Sequence, residues 1–114
     1  MSVDIGDLKG RVRALAMFTS ELAAAREQVV QKETQLRRWK AETEELQAAI
    51  MLLTDAFRQT HGQETVAFWI SMEIHLLKDE LERCQGRARK VEGELQDLHN
   101  TVARRSHVLK WASR

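Results

Sequence analysis

The sequence predicts an all-α protein that folds back on itself as a long antiparallel helical hairpin, a two-helix coiled coil. Three observations lead to this prediction: a composition typical of long helices, an apolar heptad pattern in each half of the chain, and a phase shift between the two patterns. We expect one elongated domain over residues 1–114, with a first helix over about 7–60, a turn over about 61–63 and a second helix over about 64–112. We also expect the hairpin to associate with itself into a helical bundle.

The composition excludes most other fold classes. Charged residues make up 31% of the chain and aromatic residues 5%, with five glycines, no proline and no tyrosine. Long helices and coiled coils have this composition, whereas a β-sandwich or an α/β fold needs turn residues and β-branched runs. Burial must therefore come from a narrow seam between helices or from other chains.

The first half of the chain carries two apolar rows of a heptad repeat. Ser2, Asp4 and Asp7 offer capping side chains and negative charge near its start. One row contains Leu8, Leu15, Leu22, Val29, Leu36, Thr43, Ile50 and Phe57, and the companion row contains Arg11, Phe18, Ala25, Lys32, Trp39, Leu46, Leu53 and Thr60. Seven of eight residues in the first row and five of eight in the second are apolar, which satisfies the coiled-coil criterion. Outside these rows, Val12, Ala16 and Met17 widen the apolar stripe, as extra buried positions or as ordinary flanking ones.

The second half repeats the pattern with a spacing that alternates between four and three. Its row contains Ile70, Ile74, Leu77, Leu81, Cys84, Ala88, Val91, Leu95, Leu98, Val102, Arg105, Leu109 and Ala112. The phase slips by three residues between Phe57 and Ile70. A hairpin turn explains this slip, and so does a three-residue stammer in one continuous helix that forms a coiled-coil dimer.

Glycine favours the hairpin over the continuous helix. Gly62 follows His61 where a helix-terminating glycine would stand, and Gln63 with either Thr60 or Thr65 offers a cap for the second helix. A turn at this point places residue n opposite about 125 − n. Trp39 then lies opposite Gly86, and Lys32 lies near Gly93.

Charge is distributed unevenly along the chain, although the net charge is only +1. Residues 1–40 contain eight Lys/Arg and five Asp/Glu, and residues 83–114 contain eight and three. Residues 41–82 contain two Lys/Arg and nine Asp/Glu. The segments therefore carry +3, +5 and −7, so a fold-back brings two basic ends together and leaves an acidic tip.

The predicted tip has more apolar side chains than a two-helix seam can bury. Seven of them, which we call the tip surface, lie outside the seam rows: Met51, Leu52, Val66, Phe68, Trp69, Met72 and Leu76. We expect a partner-docking or self-association surface here, with a homodimer as its simplest form. The alternative is that the turn packs these side chains into a plug of its own.

The remaining chemistry-bearing residues do not form a recognisable site. The four histidines, His61, His75, His99 and His107, include no pair spaced i, i+4 for zinc, so we expect no metal or cofactor and no enzyme. Cys84 falls in the seam row, where it acts as a small apolar residue. A second possible contact surface is basic and aromatic: Arg104, Arg105, Lys110 and Trp111. Arg37, Arg38, Trp39 and Lys40 form a similar cluster, which acidic neighbours dilute.

These features predict a non-enzymatic coiled-coil scaffold or adaptor that oligomerises and docks partner proteins in a larger assembly. One alternative is a stalk-like component of an ATPase or secretion apparatus. Another is a nucleic-acid-associated factor that uses its basic ends. A single cysteine and the lack of an apolar run of membrane-spanning length predict an intracellular protein, cytoplasmic or nuclear.

Overall fold

A computed structural model of the chain consists of two α-helices joined by a short turn and packed antiparallel. Helix α1 is Ile5–Arg58 and helix α2 is Glu64–Ala112, and the structure describes residues 5–112. The predicted helical hairpin is therefore confirmed, and the alternative of one continuous helix through Gly62 is wrong. Ser2 and Asp4, which the sequence offers as helix caps, lie outside the described residues.

The turn is built around Gly62, whose φ of 77° is a left-handed conformation that glycine adopts without steric cost. Helix α1 ends at Arg58, earlier than expected, because its last turn tightens. The Gln59 N–H donates to the Ala56 carbonyl at 3.1 Å, and the Thr60 N–H donates to the Phe57 carbonyl at 3.2 Å.

Capping at the turn differs from the sequence expectation. The Thr60 hydroxyl donates to the Phe57 carbonyl at 2.6 Å, so it satisfies the end of α1 and not the start of α2. The Gln63 carbonyl accepts the Ala67 N–H at 2.9 Å, the bond that an N-cap residue makes. Glu64 then places a negative charge in the first turn of α2, where the helix dipole favours it.

The helix contacts divide into two compact units, each of which has its own seam. The first unit is residues 34–92, and Cys84 and Val91 are its buried residues, with Cys84 only 1% exposed. Apart from the exposed Phe57, the other predicted seam residues of this unit are half-buried: Leu36, Trp39, Thr43, Leu46, Ile50, Leu53, Thr60, Ile70, Ile74, Leu77, Leu81 and Ala88. Burial here therefore follows the predicted rows. The prediction of one domain over residues 1–114 stays a prediction.

Among the described residues, the second unit combines residues 5–33 and 93–112. Leu22 and Ala25 of α1 are buried, and Val29 of α1 is half-buried. On α2 the half-buried residues include Leu95, Leu98, Val102, Arg105 and Leu109. Lys32, a charged residue at a seam position, forms an ion pair with Glu94 of the opposite helix.

The helices are paired a little out of the expected register. The Lys32–Glu94 ion pair joins residues whose numbers sum to 126, and the Lys40–Glu92 ion pair, at 3.6 Å, joins residues whose numbers sum to 132. The expected sum was 125. Both observed sums are larger than 125, so the helices are paired as if the turn were centred on the C-terminal side of Gly62.

Four apolar residues of the predicted α1 rows are exposed instead of buried: Leu8, Leu15, Phe18 and Phe57. With the observed register, Leu8 would face position 118 or beyond, so no described residue of α2 lies opposite it. Phe57 precedes the last residue of α1, so no further turn of that helix covers it. The row predicted from spacing therefore extends beyond the seam at both ends.

Candidate docking surface at the tip

All seven residues of the tip surface are exposed. Their exposed fractions range from 41% for Met72 to 73% for Leu52. Such values do not agree with the alternative in which the turn packs these side chains into a plug. The described part of the chain thus presents a group of large apolar side chains to solvent on both sides of the turn, an arrangement typical of interaction sites.

Three tip-surface residues form one stripe along α2. Trp69, Met72 and Leu76 follow the spacing i, i+3 and i+7, so they lie on the same side of the helix. A helix turns about 100° per residue, which places the centre of this tip stripe about 150° away from the centre of the seam residues Ile70 and Ile74. The tip stripe is therefore a second apolar face of α2, separate from the one that contacts α1.

The two aromatic residues at the start of α2 contact each other. The rings of Phe68 and Trp69 lie 6.0 Å apart, centroid to centroid, at an interplanar angle of 71°. This edge-to-face geometry is a favourable one for aromatic pairs. The pair places two large apolar groups side by side at the start of α2.

Helix α1 contributes the other exposed apolar side chains of the tip. Met51 and Leu52 directly follow the half-buried Ile50. The same 100° rotation places each of them about 130° away from the α1 seam, one on either side. The tip surface therefore occupies outward-facing positions of both helices.

The tip stripe lies in an acidic segment. Residues 64–82 contain five Asp/Glu and one Lys, which gives −4. Glu73 and Asp79 are exposed next to the stripe. Complementary charge gives an interface much of its specificity and association rate, so this setting favours a basic partner and disfavours another acidic one.

The basic residues near the C-terminal end of α2 are engaged to different degrees. Arg105 is half-buried, and its guanidinium donates to the Glu21 carbonyl at 3.2 Å. Arg104 and Lys110 are exposed, and Trp111 is 75% exposed. Arg105 therefore serves the packing of its own chain, while Arg104 and Trp111 face outward.

The second basic and aromatic cluster, around Trp39, makes contacts within its own chain. The Trp39 ring lies 5.4 Å from the guanidinium carbon of Arg38 and 4.9 Å from that of Arg87 on the opposite helix. Both distances are within the range of cation–π interaction. The expected position of Trp39 opposite Gly86 is thus displaced by one residue, and the indole is half-buried beneath its arginine neighbours.

The titratable residues offer no metal site across residues 5–112, where no three His, Cys, Asp or Glu side chains lie together in a way that would hold an ion. Burial raises the pKa of the Cys84 thiol above its ordinary value of 9.0, and the nearby Glu80 carboxylate raises it further. A protonated, buried thiol is a poor nucleophile and a poor ligand. All four histidines are exposed.

A second exposed apolar region lies near the helix ends, and most of its residues belong to the predicted seam rows. Here α1 and α2 form a groove of about 430 Å³, which we call the base groove. Its lining includes Arg11, Leu15 and Phe18 of α1 together with Val108, Leu109 and Trp111 of α2. Val12 and Met17 are exposed on α1 in the same region, so they are not the extra buried positions that the sequence allowed.

Comparison with known proteins adds no assignment. No family model matches the chain, and neither the curated proteins nor the solved structures contain a match. Within the described residues, neither helix has a stretch that is apolar and long enough to cross a membrane.

Proposed function

We propose that this chain is a non-enzymatic coiled-coil scaffold or adaptor that associates with itself and docks partner proteins within a larger intracellular assembly. The observation that supports this proposal most strongly is the exposure of all seven residues of the tip surface. The free thiol of Cys84 is in keeping with a reducing compartment. Two helices that present apolar side chains on both sides of their turn are suited to binding other helices and grooves.

Binding through the tip surface has a large apolar driving force. Phe68 is 59% exposed and Trp69 is 64% exposed. Because aromatic side chains bury about 200 Å² each, covering the exposed parts of both removes roughly 240 Å² from water. At about 25 cal/mol per Å² this contributes about 6 kcal/mol before the entropic costs of association are subtracted. A micromolar contact requires about 8 kcal/mol after those costs, so the other tip-surface residues must contribute as well.

The mode of binding follows from the tip stripe. Apolar anchors at i, i+3 and i+7 are the pattern by which an amphipathic helix enters an apolar groove or joins a helical bundle. The stripe lies away from the seam, so a partner can cover it without opening the hairpin. No specific observation favours the stalk or the nucleic-acid alternative, and Arg105 and Trp39 already contact their own chain.

Sedimentation velocity, together with a pull-down from the native source, tests the proposal. We expect the wild-type chain to form a defined oligomer and to retain a partner protein. The double variant Phe68→Ala/Trp69→Ala should lose both properties while its circular dichroism stays helical. Val30→Ala is the matched control, since Val30 is 59% exposed and lies outside the tip surface. A double variant that keeps both its oligomer and its partner would rule out the tip surface as the docking site.

A further inference from the structure

The base groove has the features of a receptor for an acidic amphipathic helix. Its apolar lining includes Phe18 and the 75%-exposed Trp111. Its surroundings are basic: residues 5–18 and 104–112 together contain six Lys/Arg and one Asp, which gives +5. Arg104, Val108 and Trp111 follow the spacing i, i+4 and i+7, so a basic residue continues the exposed apolar face of α2 in this region.

The tip stripe has the complementary features. Trp69, Met72 and Leu76 form a short apolar face, and the segment that carries them has a charge of −4. Exposed Glu73 and Asp79 flank this face. One chain therefore contains both an acidic apolar helix and a basic apolar groove.

We infer that two copies of the chain form a reciprocal dimer in which the tip stripe of each copy occupies the base groove of the other. This inference rests on the self-association in the proposed function and identifies the surfaces that carry it. A two-fold axis makes the two contacts identical, so the apolar area that each contact buries is counted twice. A dimer through two tips would instead bring together two segments of −4, and such like-charge contact is unfavourable.

Charge reversal beside the tip stripe or beside the base groove distinguishes the reciprocal dimer from a dimer through two tips. The tip variant is Glu73→Lys/Asp79→Lys, and the base variant is Arg11→Glu/Arg104→Glu. Both keep the apolar residues, and Lys and Glu are good helix formers, so circular dichroism should show unchanged helix content. Sedimentation equilibrium at low salt then compares the wild type, each variant and their equimolar mixture against a chain mass of 13.2 kDa.

We expect the wild type to reach twice the chain mass and each variant alone to dimerise at least about tenfold more weakly, because both of its contacts carry like charges. The equimolar mixture should recover the dimer. In one of its contacts the basic tip of the tip variant meets the acidic groove of the base variant, and in the other the native acidic tip meets the native basic groove. Raising the salt concentration should weaken the wild-type dimer, since screening reduces the attraction between the surfaces.

Two results would overturn the inference in distinguishable ways. If the base variant dimerises as well as the wild type, the base groove is not the receptor, although self-association itself stands. If the wild type remains a monomer at every concentration, both the reciprocal dimer and the self-association in the proposed function are wrong.

Discussion

Replacement of Gly62 by alanine should destabilise the protein. Gly62 has a φ of 77°, and a Cβ added there meets no atom within 4 Å. The cost is therefore conformational alone, about 1–2 kcal/mol for an L-residue in the left-handed region. Alanine also lowers the entropy of the unfolded chain, which offsets about 0.4–1 kcal/mol. The free energy of unfolding should thus fall by about 1 kcal/mol, and Gly62→Asn should cost less, because asparagine tolerates this conformation better.

Two glycines inside α2 provide matched controls. Gly86 and Gly93 are helical, and a Cβ added at either one also meets nothing within 4 Å. Replacing glycine by alanine in a helix interior stabilises it by about 0.8–1.0 kcal/mol. The same chemical change should therefore have opposite signs at Gly62 and at Gly86.

Urea unfolding followed by circular dichroism measures these differences at one fixed chain concentration. A Gly62→Ala variant that becomes more stable, as Gly86→Ala should, would refute the reasoning, because it would mean that Gly62 has helical dihedral angles. A lower free energy of unfolding for both Gly62→Ala and Gly86→Ala would contradict the helix-propensity explanation given for the controls.

Three further predictions concern the seam. A double-mutant cycle with Lys32→Met and Glu94→Gln should give a coupling free energy of about 0.5–1 kcal/mol, because the two side chains are 30% and 36% exposed. This coupling should become smaller in 1 M salt, which screens the charges. A coupling of zero would contradict the ion pair. At pH 8 Cys84 should react with a thiol reagent at least about tenfold more slowly than free cysteine, because burial raises its pKa. The Cys84 thiol loses its proton at a lower pH in the unfolded chain than in the folded chain. Its contribution to stability should therefore be complete below pH 9.0 and decrease as the pH rises above that value. Urea unfolding at several pH values would show this decrease.

Periodicity predicts the features of this fold that depend on which side of a helix a residue occupies. The unbroken four-and-three spacing from Ile70 to Leu109 predicts the buried and half-buried row of α2, since a helix repeats its faces at that interval. The same argument places Trp69 and Met72 outside the seam, and both are exposed. Gly62 marks the turn because a left-handed residue there favours glycine.

Periodicity does not predict how far a seam extends or which atoms meet across it. Leu8 continues the apolar row but has no described residue of α2 opposite it, whereas Phe18 lies in the open base groove, and the register that decides this depends on the geometry of the turn. The Thr60 hydroxyl donates to the Phe57 carbonyl at the end of α1, whereas the sequence equally allowed it to cap α2. The stacking of Arg87 on Trp39 likewise requires the register to be known within one residue.

An intramolecular distance tests the fold-back, on which the tip surface and the base groove both depend. Nitroxide labels at Ala24→Cys and Ala103→Cys, both exposed positions, are placed in a Cys84→Ala background. Dilution with excess unlabelled chain removes distances between molecules. Helix axes 8–10 Å apart predict a pulsed-dipolar distance below about 35 Å once the label arms are included. One unbent helix would separate these positions by about 120 Å, so a diluted sample with no distance below about 50 Å would contradict the hairpin.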